Sequence, residues 1–410
     1  MININKSIPL YFIFLLLSPV FSYFTLSTFN ISSQYYNGVL ISVIGFFFIF
    51  SSKKKIMVPS YAWILLAYFF YTLIWSFITG EASERGYRII SKNQLLHSFF
   101  AIIVINNYNF SDLFIKKAIR LMKLTLIVAA IVSLIQVFNF SFMDANPIWS
   151  RGTGGDTLIG DIYQDRRSSI FGFIDPNELG LSFLPLLSVL IGVLLYQRKR
   201  YYLFFLLLGG ISALLSNTRY VMVGFIIITF QIIIVQRKKL LGSIKFLLIA
   251  FFSAFIFFQI LAYIGYDTNK WAENRLFSER SFEETTRYKA IGNFLLFFPQ
   301  KPLFGFGQMT YEIKQASIAV GSSQIHVGYL AHLVYFGIFG SLLFFSFLFT
   351  LGKRLYLNSK STGFWGSFLG FMVFVWANAT LVTSHIFFYG ILIALVVDKM
   401  YTNKNQLNLK

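Results

Sequence analysis

The sequence predicts an all-α integral membrane protein with about twelve transmembrane helices, and three observations support this fold class. Hydrophobic residues make up 56% of the 410-residue chain, charged residues make up only 12%, and the mean hydropathy is +0.67. A soluble domain carries about 25% charged residues. Apolar runs of membrane-spanning length recur along the whole chain, and clusters of lysine and arginine separate them in a regular order.

The apolar runs define the predicted spans, because about 20 apolar residues are needed for a helix to cross a bilayer. The spans lie at residues 8–24, 38–50, 60–79, 94–107, 121–138, 178–196, 202–216, 219–235, 246–264, 328–350, 362–381 and 384–398. The first run lacks a small-residue cleavage site. We therefore expect it to be retained as a helix and not removed as a signal peptide.

The basic clusters predict which side of the membrane each loop faces, since lysine and arginine accumulate in cytoplasmic loops. Four clusters follow even-numbered spans, and the fifth lies between spans ten and eleven. These clusters are Lys53–Lys55, Lys116–Lys123, Arg198–Arg200, Arg237–Lys239 and Lys353–Arg354. Twelve spans with a cytoplasmic amino terminus place all five inside the cell, and both termini with them. This arrangement accounts for the net charge of +19 without a nucleic-acid partner.

The chain reads as a single polytopic membrane domain over residues 1–410, with two long polar loops on the external side. The loops cover residues 139–177 and 265–327, and each contains apolar and aromatic residues of its own. We expect short helices at the membrane surface in both, one of them from Tyr288 to Phe298. Loops of this length in compact proteins are usually functional.

Arginine is more frequent than lysine in the external segments, whereas lysine dominates the basic loops. The arginine side chain presents a rigid fork that binds phosphate oxygens in pairs. A set of such groups at the outer face of the membrane therefore suits a diphosphate, although nearby acidic residues allow simple surface ion pairs as the alternative. The external arginines are Arg151, Arg166, Arg167, Arg219, Arg275, Arg280 and Arg287.

Two of these arginines have unusual sequence surroundings. Arg219 lies between two apolar runs with no acidic residue nearby, and a charge within a membrane costs about 2.5–3.5 kcal/mol on insertion scales. Arg287 follows two threonines and begins an apolar stretch. Both positions favour a functional role over a surface ion pair.

His326 is the candidate proton acceptor of the external face. It follows the Gly321–Ser323 stretch and starts the tenth span. At an ordinary pKa of about 6.5, a histidine can take a proton from a hydroxyl at neutral pH. The alternative is a histidine that bonds only backbone or water. His332 lies six residues further on, and we expect it to be deeper and off the same helix face.

Metal and cofactor sites are not expected. The chain has no cysteine, no two histidines have metal-ligand spacing, and no H-E-x-x-H or D-x-D motif occurs. Enzymes that use nucleotide sugars usually need an acidic metal-binding pair. Its absence from an external face favours a lipid-linked sugar donor.

Four segments resemble the O-antigen polymerase and ligase superfamily, of the Wzy and WaaL type. Within this superfamily the chain is most similar to a polymerase. They are Arg167–Gly180 (R-S-S-I-F-G-F-I-D-P-N-E-L-G), Leu215–Tyr220 (L-S-N-T-R-Y), Pro302–Gly307 (P-L-F-G-F-G) and Ser322–Leu330 (S-S-Q-I-H-V-G-Y-L). The family also has ten to fourteen spans and two large periplasmic loops. The resemblance therefore covers the whole chain.

The resemblance implies a role for each matching residue. Arg166, Arg167 and Arg219 would bind the diphosphate of an undecaprenyl-diphosphate-linked glycan. Arg287 and His326 would be catalytic, and the glycosyl transfer would need no metal and no cofactor. The family often has Asn after this histidine, whereas this chain has Val327.

The resemblance also implies the location and the partners. The protein would be a multi-pass protein of the bacterial inner membrane that joins lipid-linked repeat units into O-antigen or capsular polysaccharide. Its partners would be the lipid-linked glycan, membrane lipid and a protein that regulates chain length. Three alternatives remain at the level of sequence: a ligase that transfers glycan to lipid A-core, a flippase for lipid-linked oligosaccharide, and a structural scaffold.

Overall fold

The structure, a computed structural model, describes residues 6–17, 33–52, 55–79, 87–138, 179–216, 218–236, 286–307, 327–380 and 389–408, and the single residues 259 and 263. These residues form helices and contain no strand. The helices are α1 (Lys6–Leu17), α2 (Ser33–Ser51), α3 (Ser60–Ile78), α4 (Tyr87–Asn107), α5 (Asp112–Phe138), α6 (Leu179–Tyr196), α7 (Tyr202–Leu215), α8 (Arg219–Gln236), α9 (Thr286–Phe297), α10 (Gly328–Thr362), α11 (Gly366–Thr380) and α12 (Tyr389–Asn408), and a 3₁₀ turn (Phe298–Gln300) follows α9.

The all-helical fold class is confirmed for the described part of the chain. Three of its helices are long and apolar enough to cross a membrane, namely α3, α5 and α10. Each remaining predicted span overlaps a helix in its described part, except the ninth at residues 246–264, of which only residues 259 and 263 are described. The loop at residues 139–177 is outside them as well. The total of twelve spans therefore stays a prediction.

The helix expected within the second loop is present as α9. It begins two residues earlier than the predicted Tyr288 and ends at Phe297. Its amphipathic packing is described below with the candidate site.

Several predicted boundaries are wrong. Helices α2 and α4 begin before residues 38 and 94, α12 continues beyond residue 398, and two further errors concern the basic clusters. Helix α5 begins at Asp112 and not at residue 121, so the basic cluster from Lys116 to Lys123 lies on the helix and not in a loop before it. Helix α10 continues to Thr362, and Gly363 ends it with a left-handed backbone (φ 76°). Glycine is the usual residue at this position because it has no Cβ to clash. Span eleven consequently starts at Gly366.

Helix α6 is the centre of the bundle. Residues 182–195 are all buried, and the helix packs against α5, α7, α8, α11 and α12. Its closest neighbour is α11, where a Cβ added at Gly192 would lie 2.5 Å from the Cα of Gly366. Small residues at such positions allow two helix backbones to approach closely, which increases their van der Waals contact in a bilayer.

Buried polar side chains fix how these helices are rotated against each other. The Ser188 hydroxyl donates to the Gly366 carbonyl at 2.9 Å. The Gln231 amide of α8 donates to the Ser188 carbonyl at 3.1 Å and also to the Ser188 hydroxyl. Such bonds between helices add a directional constraint to apolar packing.

Helix α3 pairs with α10 in an antiparallel direction. Tyr61 contacts Arg354, and Tyr68 lies against Phe344. Tyr71 reaches the carbonyl of Phe336. The residue numbers on α10 therefore decrease along the pair as those on α3 increase. This pair connects the basic end of the bundle with the end at which α9 lies.

The chain lacks cysteine, so single cysteine variants can test the predicted sidedness directly. Gln300 and Ser361 are both exposed. Gln300 lies at the end of the bundle that contains α9, and Ser361 lies in the last turn of α10, at the basic end. We expect a membrane-impermeant maleimide to label Gln300→Cys in right-side-out vesicles and Ser361→Cys only in inverted ones. The same labelling pattern for both variants would contradict the predicted orientation, and the cysteine-free parent protein is the control.

Candidate functional site

Helix α10 is interrupted at Gly337, whose backbone is non-helical (φ 62°, ψ −167°). This region is essentially open only to glycine. A straight helix would separate His332 from Phe344 by about 18 Å, yet their stacked rings have centroids 4.3 Å apart. Tyr329 also contacts Phe345, with ring centroids 5.3 Å apart. Residues 328–336, here α10a, therefore fold back sharply against residues 338–362, here α10b.

The break leaves backbone groups of α10 without helical partners, and the loop at residues 301–307 supplies them. The loop amides of Phe306 and Gly307 donate to carbonyls of α10a, and two amides of α10b donate to loop carbonyls. The four bonds are Phe306 N to Val334 O (3.0 Å), Gly307 N to Tyr335 O (2.8 Å), Ile338 N to Pro302 O (2.9 Å) and Phe339 N to Leu303 O (3.1 Å). Irregular backbone within a membrane protein requires this kind of pairing, because lipid offers no hydrogen bonds.

The P-L-F-G-F-G motif owes its glycines to this pairing. Gly305 and Gly307 have positive φ values of 75° and 76°. A Cβ at Gly305 would lie 2.5 Å from both the carbonyl carbon and the carbonyl oxygen of Tyr335. The loop can thus approach α10 only with glycine at this position.

Two tyrosines of α3 complete the broken segment. The Tyr71 hydroxyl donates to the Phe336 carbonyl at 2.7 Å and lies 3.1 Å from the Phe304 carbonyl. The Tyr68 hydroxyl lies 3.2 Å from Nε2 of His332. The α3 side chains therefore hold both the break and the helix that precedes it.

His332 is a functional candidate that the sequence analysis set aside. It is 3% exposed and is enclosed by Tyr68, Phe336 and Phe344. A titratable side chain inside a membrane bundle normally faces the protein interior and indicates a functional site. The break at Gly337 brings α10a, and His332 with it, back against the bundle. Only the unusual run of glycines at 337 and 340 could have indicated this fold-back.

Helix α9 packs against α10a through a small apolar cluster. The cluster consists of Ala290, Phe297, Phe306, Ala331, Val334, Tyr335 and Phe336, with Val327 packed against it. Asn293 lies on the same side of α9 and is fully buried. Within the described part of the chain, neither its amide nitrogen nor its amide oxygen has a hydrogen-bond partner. A buried amide without partners is rare and costs stability.

Two of the five predicted site residues lie at helix starts. Arg219 is the first residue of α8 and Arg287 is the second of α9; the structure describes their backbones and not their side chains. Arg166, Arg167 and His326 lie outside the described residues. The structure consequently does not test whether these five side chains meet.

Neighbouring residues do connect three of these positions. Tyr329, three residues after His326, donates its hydroxyl to the Val375 carbonyl of α11 at 2.8 Å. The next residue of α11, Trp376, donates its indole N–H to the Tyr220 carbonyl at 3.0 Å. Tyr220 directly follows Arg219.

A second set of contacts connects Arg287. Ala290, one helical turn after Arg287, belongs to the cluster against which Val327 packs, and Val327 directly follows His326. The chain positions of the three predicted residues therefore border one packed unit formed by α8, α9, α10a and α11.

Comparison with known proteins supports the predicted resemblance. Residues 203–345 match the family model described as O-Antigen ligase, which confirms the similarity to the Wzy and WaaL type superfamily. No curated protein matches this chain. The matched region runs from α7 to the first residues of α10b, and so contains the broken helix and its loop.

Three glycine-to-alanine variants can test the role of the break. A Cβ at Gly337 would lie 2.5 Å from the Leu303 carbonyl carbon, so we expect Gly337→Ala to give the lowest melting temperature in detergent. Gly363 has a positive φ but open space around it. Gly363→Ala should therefore lower the melting temperature less than Gly337→Ala does. Gly292 is helical with open space, and alanine there should stabilise by about 0.5–1 kcal/mol. Equal melting temperatures for the three variants would contradict this order.

Asn293 allows a matched stability test with Asn378, which is equally buried but does have an interaction partner. Removing an unpartnered buried amide removes a cost of about 1–3 kcal/mol. We expect Asn293→Leu to raise the melting temperature by roughly 2–4 °C. Asn378→Leu should lower it, because it removes a buried amide that does have an interaction in the bundle. A destabilised Asn293→Leu variant would show that the amide has a structural partner.

Proposed function

We propose that this protein is a polymerase of the bacterial inner membrane. It would join undecaprenyl-diphosphate-linked oligosaccharide repeat units into O-antigen or capsular polysaccharide at the periplasmic face, by glycosyl transfer without a metal. The observation that carries the proposal is the family match over residues 203–345. Members of this family are glycosyltransferase-like enzymes that act on lipid-linked glycans, and three of the five predicted site residues lie within the match.

The packed unit around α10a supports a shared site. Arg219 and Arg287 are at the first turns of α8 and α9, and His326 precedes α10a. Free amides at the start of a helix favour anions, and an arginine placed there adds a full positive charge. Our proposal is that Arg219 and Arg287 extend from these helix starts toward His326, with Arg166 and Arg167 contributed by the first loop.

The chemistry follows from these groups. The arginines hold the donor diphosphate and stabilise the negative charge that develops on it as the bond to the sugar carbon breaks. His326 accepts the proton of the acceptor hydroxyl, and the hydroxyl oxygen forms the new glycosidic bond. The diphosphate leaves on its lipid, so no covalent enzyme intermediate is needed. His332 and Tyr68 act at a distance as positioning residues, because they hold α10a and hence the segment that carries His326.

The apolar surface provides for the lipid part of the donor. Large hydrophobic side chains are exposed on several helices, including Phe46, Phe50, Phe230 and Phe349. Such side chains suit contact with acyl and polyprenyl chains. A protein that regulates chain length remains the further partner expected for a polymerase.

A ligase is the second candidate, because the matching family model is described as O-Antigen ligase. The two activities share the donor and differ in the acceptor, which is another lipid-linked repeat unit for the polymerase and lipid A-core for the ligase. A flippase is disfavoured, since transporters of lipid-linked sugars place charges inside their spans, whereas the predicted site residues lie in loops and at helix starts.

Deletion of the gene and complementation with variants tests the proposal. Surface polysaccharide is separated on gels after deletion. We expect single repeat units on the core, as after loss of a polymerase. Long chains that remain on the lipid carrier would identify a ligase, and absence of external repeats would identify a flippase.

The same strain tests the residues. We expect Arg219→Ala, Arg287→Ala and His326→Ala each to reduce polymer formation by roughly a hundredfold or more, at wild-type protein levels. Arg200→Ala removes an exposed arginine from the opposite, basic end and should complement fully. Wild-type chain lengths in all three site variants would remove the proposed site.

A further inference from the structure

A cavity of about 370 Å³ opens at the basic end of the bundle, far along α10b from the break at Gly337. It lies among the start of α3, the end of α4 and the later parts of α10b and α12. Its size is within the range of small-molecule sites. Its lining residues include Met57, Val58, Pro59, Tyr61, Arg354 and Lys399.

Arg354 lines this cavity and is more buried than the neighbouring basic residues of α10b. Lys353 and Lys360 are exposed, whereas Arg354 is half-buried. The Arg354 guanidinium lies over the Tyr61 ring, 5.2 Å from its centroid, and donates a hydrogen bond to the Tyr61 hydroxyl. A charge that only establishes membrane orientation needs neither contact.

The Tyr61 hydroxyl is held as a donor toward the cavity. It accepts hydrogen bonds from Arg354 and from the Asn106 amide, the latter at 2.9 Å. A hydroxyl has two acceptor lone pairs and one proton, so both lone pairs are used and the proton remains available. The side chain is only 2% exposed, which keeps this geometry fixed.

Positive charge exceeds negative charge at this place. Lys399 lines the cavity with Arg354, and the adjacent acid, Asp398, is 4% exposed and accepts a hydrogen bond from Asn358 at 2.7 Å. Burial and the nearby Arg354 lower the pKa of Lys399, while Asp398 raises it. Two cations therefore face one carboxylate, and an anion in the cavity would balance them.

We propose that this cavity binds a phosphate ester, with Arg354 and Lys399 contacting its oxygens and the Tyr61 hydroxyl donating to it. The arginine fork matches phosphate oxygens, and basic pockets between transmembrane helices on the cytoplasmic side bind anionic lipid headgroups. The apolar wall formed by Met57, Val58 and Pro59 suits the carbon part of such a ligand. The site lies beyond the region matched by the family model and is independent of the proposed glycosyl transfer.

Two probes separate the sources of the phosphate. Full-length protein is reconstituted in nanodiscs of phosphatidylcholine with or without phosphatidylglycerol, and bound lipid is measured by native mass spectrometry after release into detergent. Glycerol 1-phosphate is titrated separately, with the melting temperature as the signal. Selective retention of phosphatidylglycerol identifies a lipid headgroup, and a saturable response to glycerol 1-phosphate identifies a soluble phosphate ester. Either result supports the site.

The variants decide whether binding occurs in this cavity. The pair Arg354→Gln and Lys399→Gln should weaken binding of the responding probe by roughly tenfold or more. The pair Lys353→Gln and Lys360→Gln makes the same change in net charge at exposed positions and should bind as wild type does. Lys399→Gln alone leaves the contact between Arg354 and Tyr61 intact, and it should also weaken binding if the double variant does not fold. Failure of both probes to bind, or equal losses in the cavity and exposed pairs, would overturn the proposal.

Discussion

The structure depends on how the backbone is hydrogen-bonded at the break in α10. A membrane bundle offers no water to the amides and carbonyls that a broken helix releases. Here the loop at residues 301–307 pairs with both sides of Gly337, and Tyr71 supplies one further donor. This pairing supplies hydrogen bonds to backbone groups that the fold-back of α10a releases. It also fixes how α10a lies against the loop and α10b.

The tyrosines of α3 form hydrogen bonds with polar groups of α10 in the same way along the length of the bundle. Tyr61, Tyr68 and Tyr71 each meet a polar group of α10: a guanidinium, an imidazole and a backbone carbonyl. Each ring fills apolar space while its hydroxyl satisfies a group that would be costly to bury alone. One helix thus stabilises irregular or charged features at two separate ends of its partner.

Much of the fold could be predicted from the sequence because membrane helices are encoded locally. Apolar length alone located α3, α6, α7 and α8 to within about two residues. The start of α5 could not be found in this way, because its first turns carry lysines that hydropathy assigns to a loop. The break in α10 was also hidden, since the apolar run continues through Gly337 and the cause lies in a loop thirty residues earlier. The roles of Tyr68 and His332 depend on that fold-back, for which the glycines at 337 and 340 are the sequence signal, and not on the pattern around either residue.

The two ends of the molecule differ in how far their candidate residues could be predicted from the sequence. At the end of the bundle that contains the break in α10, the recognisable motifs are glycines and an arginine at a helix start. These residues matter because of the backbone positions they occupy, and such positions can be recognised in the sequence. At the basic end, Arg354 resembles every other positive residue that orients a membrane protein, and its distinction from Lys353 arises only from packing against Tyr61. A functional arginine at that end cannot be recognised by charge pattern, because orientation alone already requires basic residues there. It can be recognised by burial and by the hydrogen bonds that hold it inward.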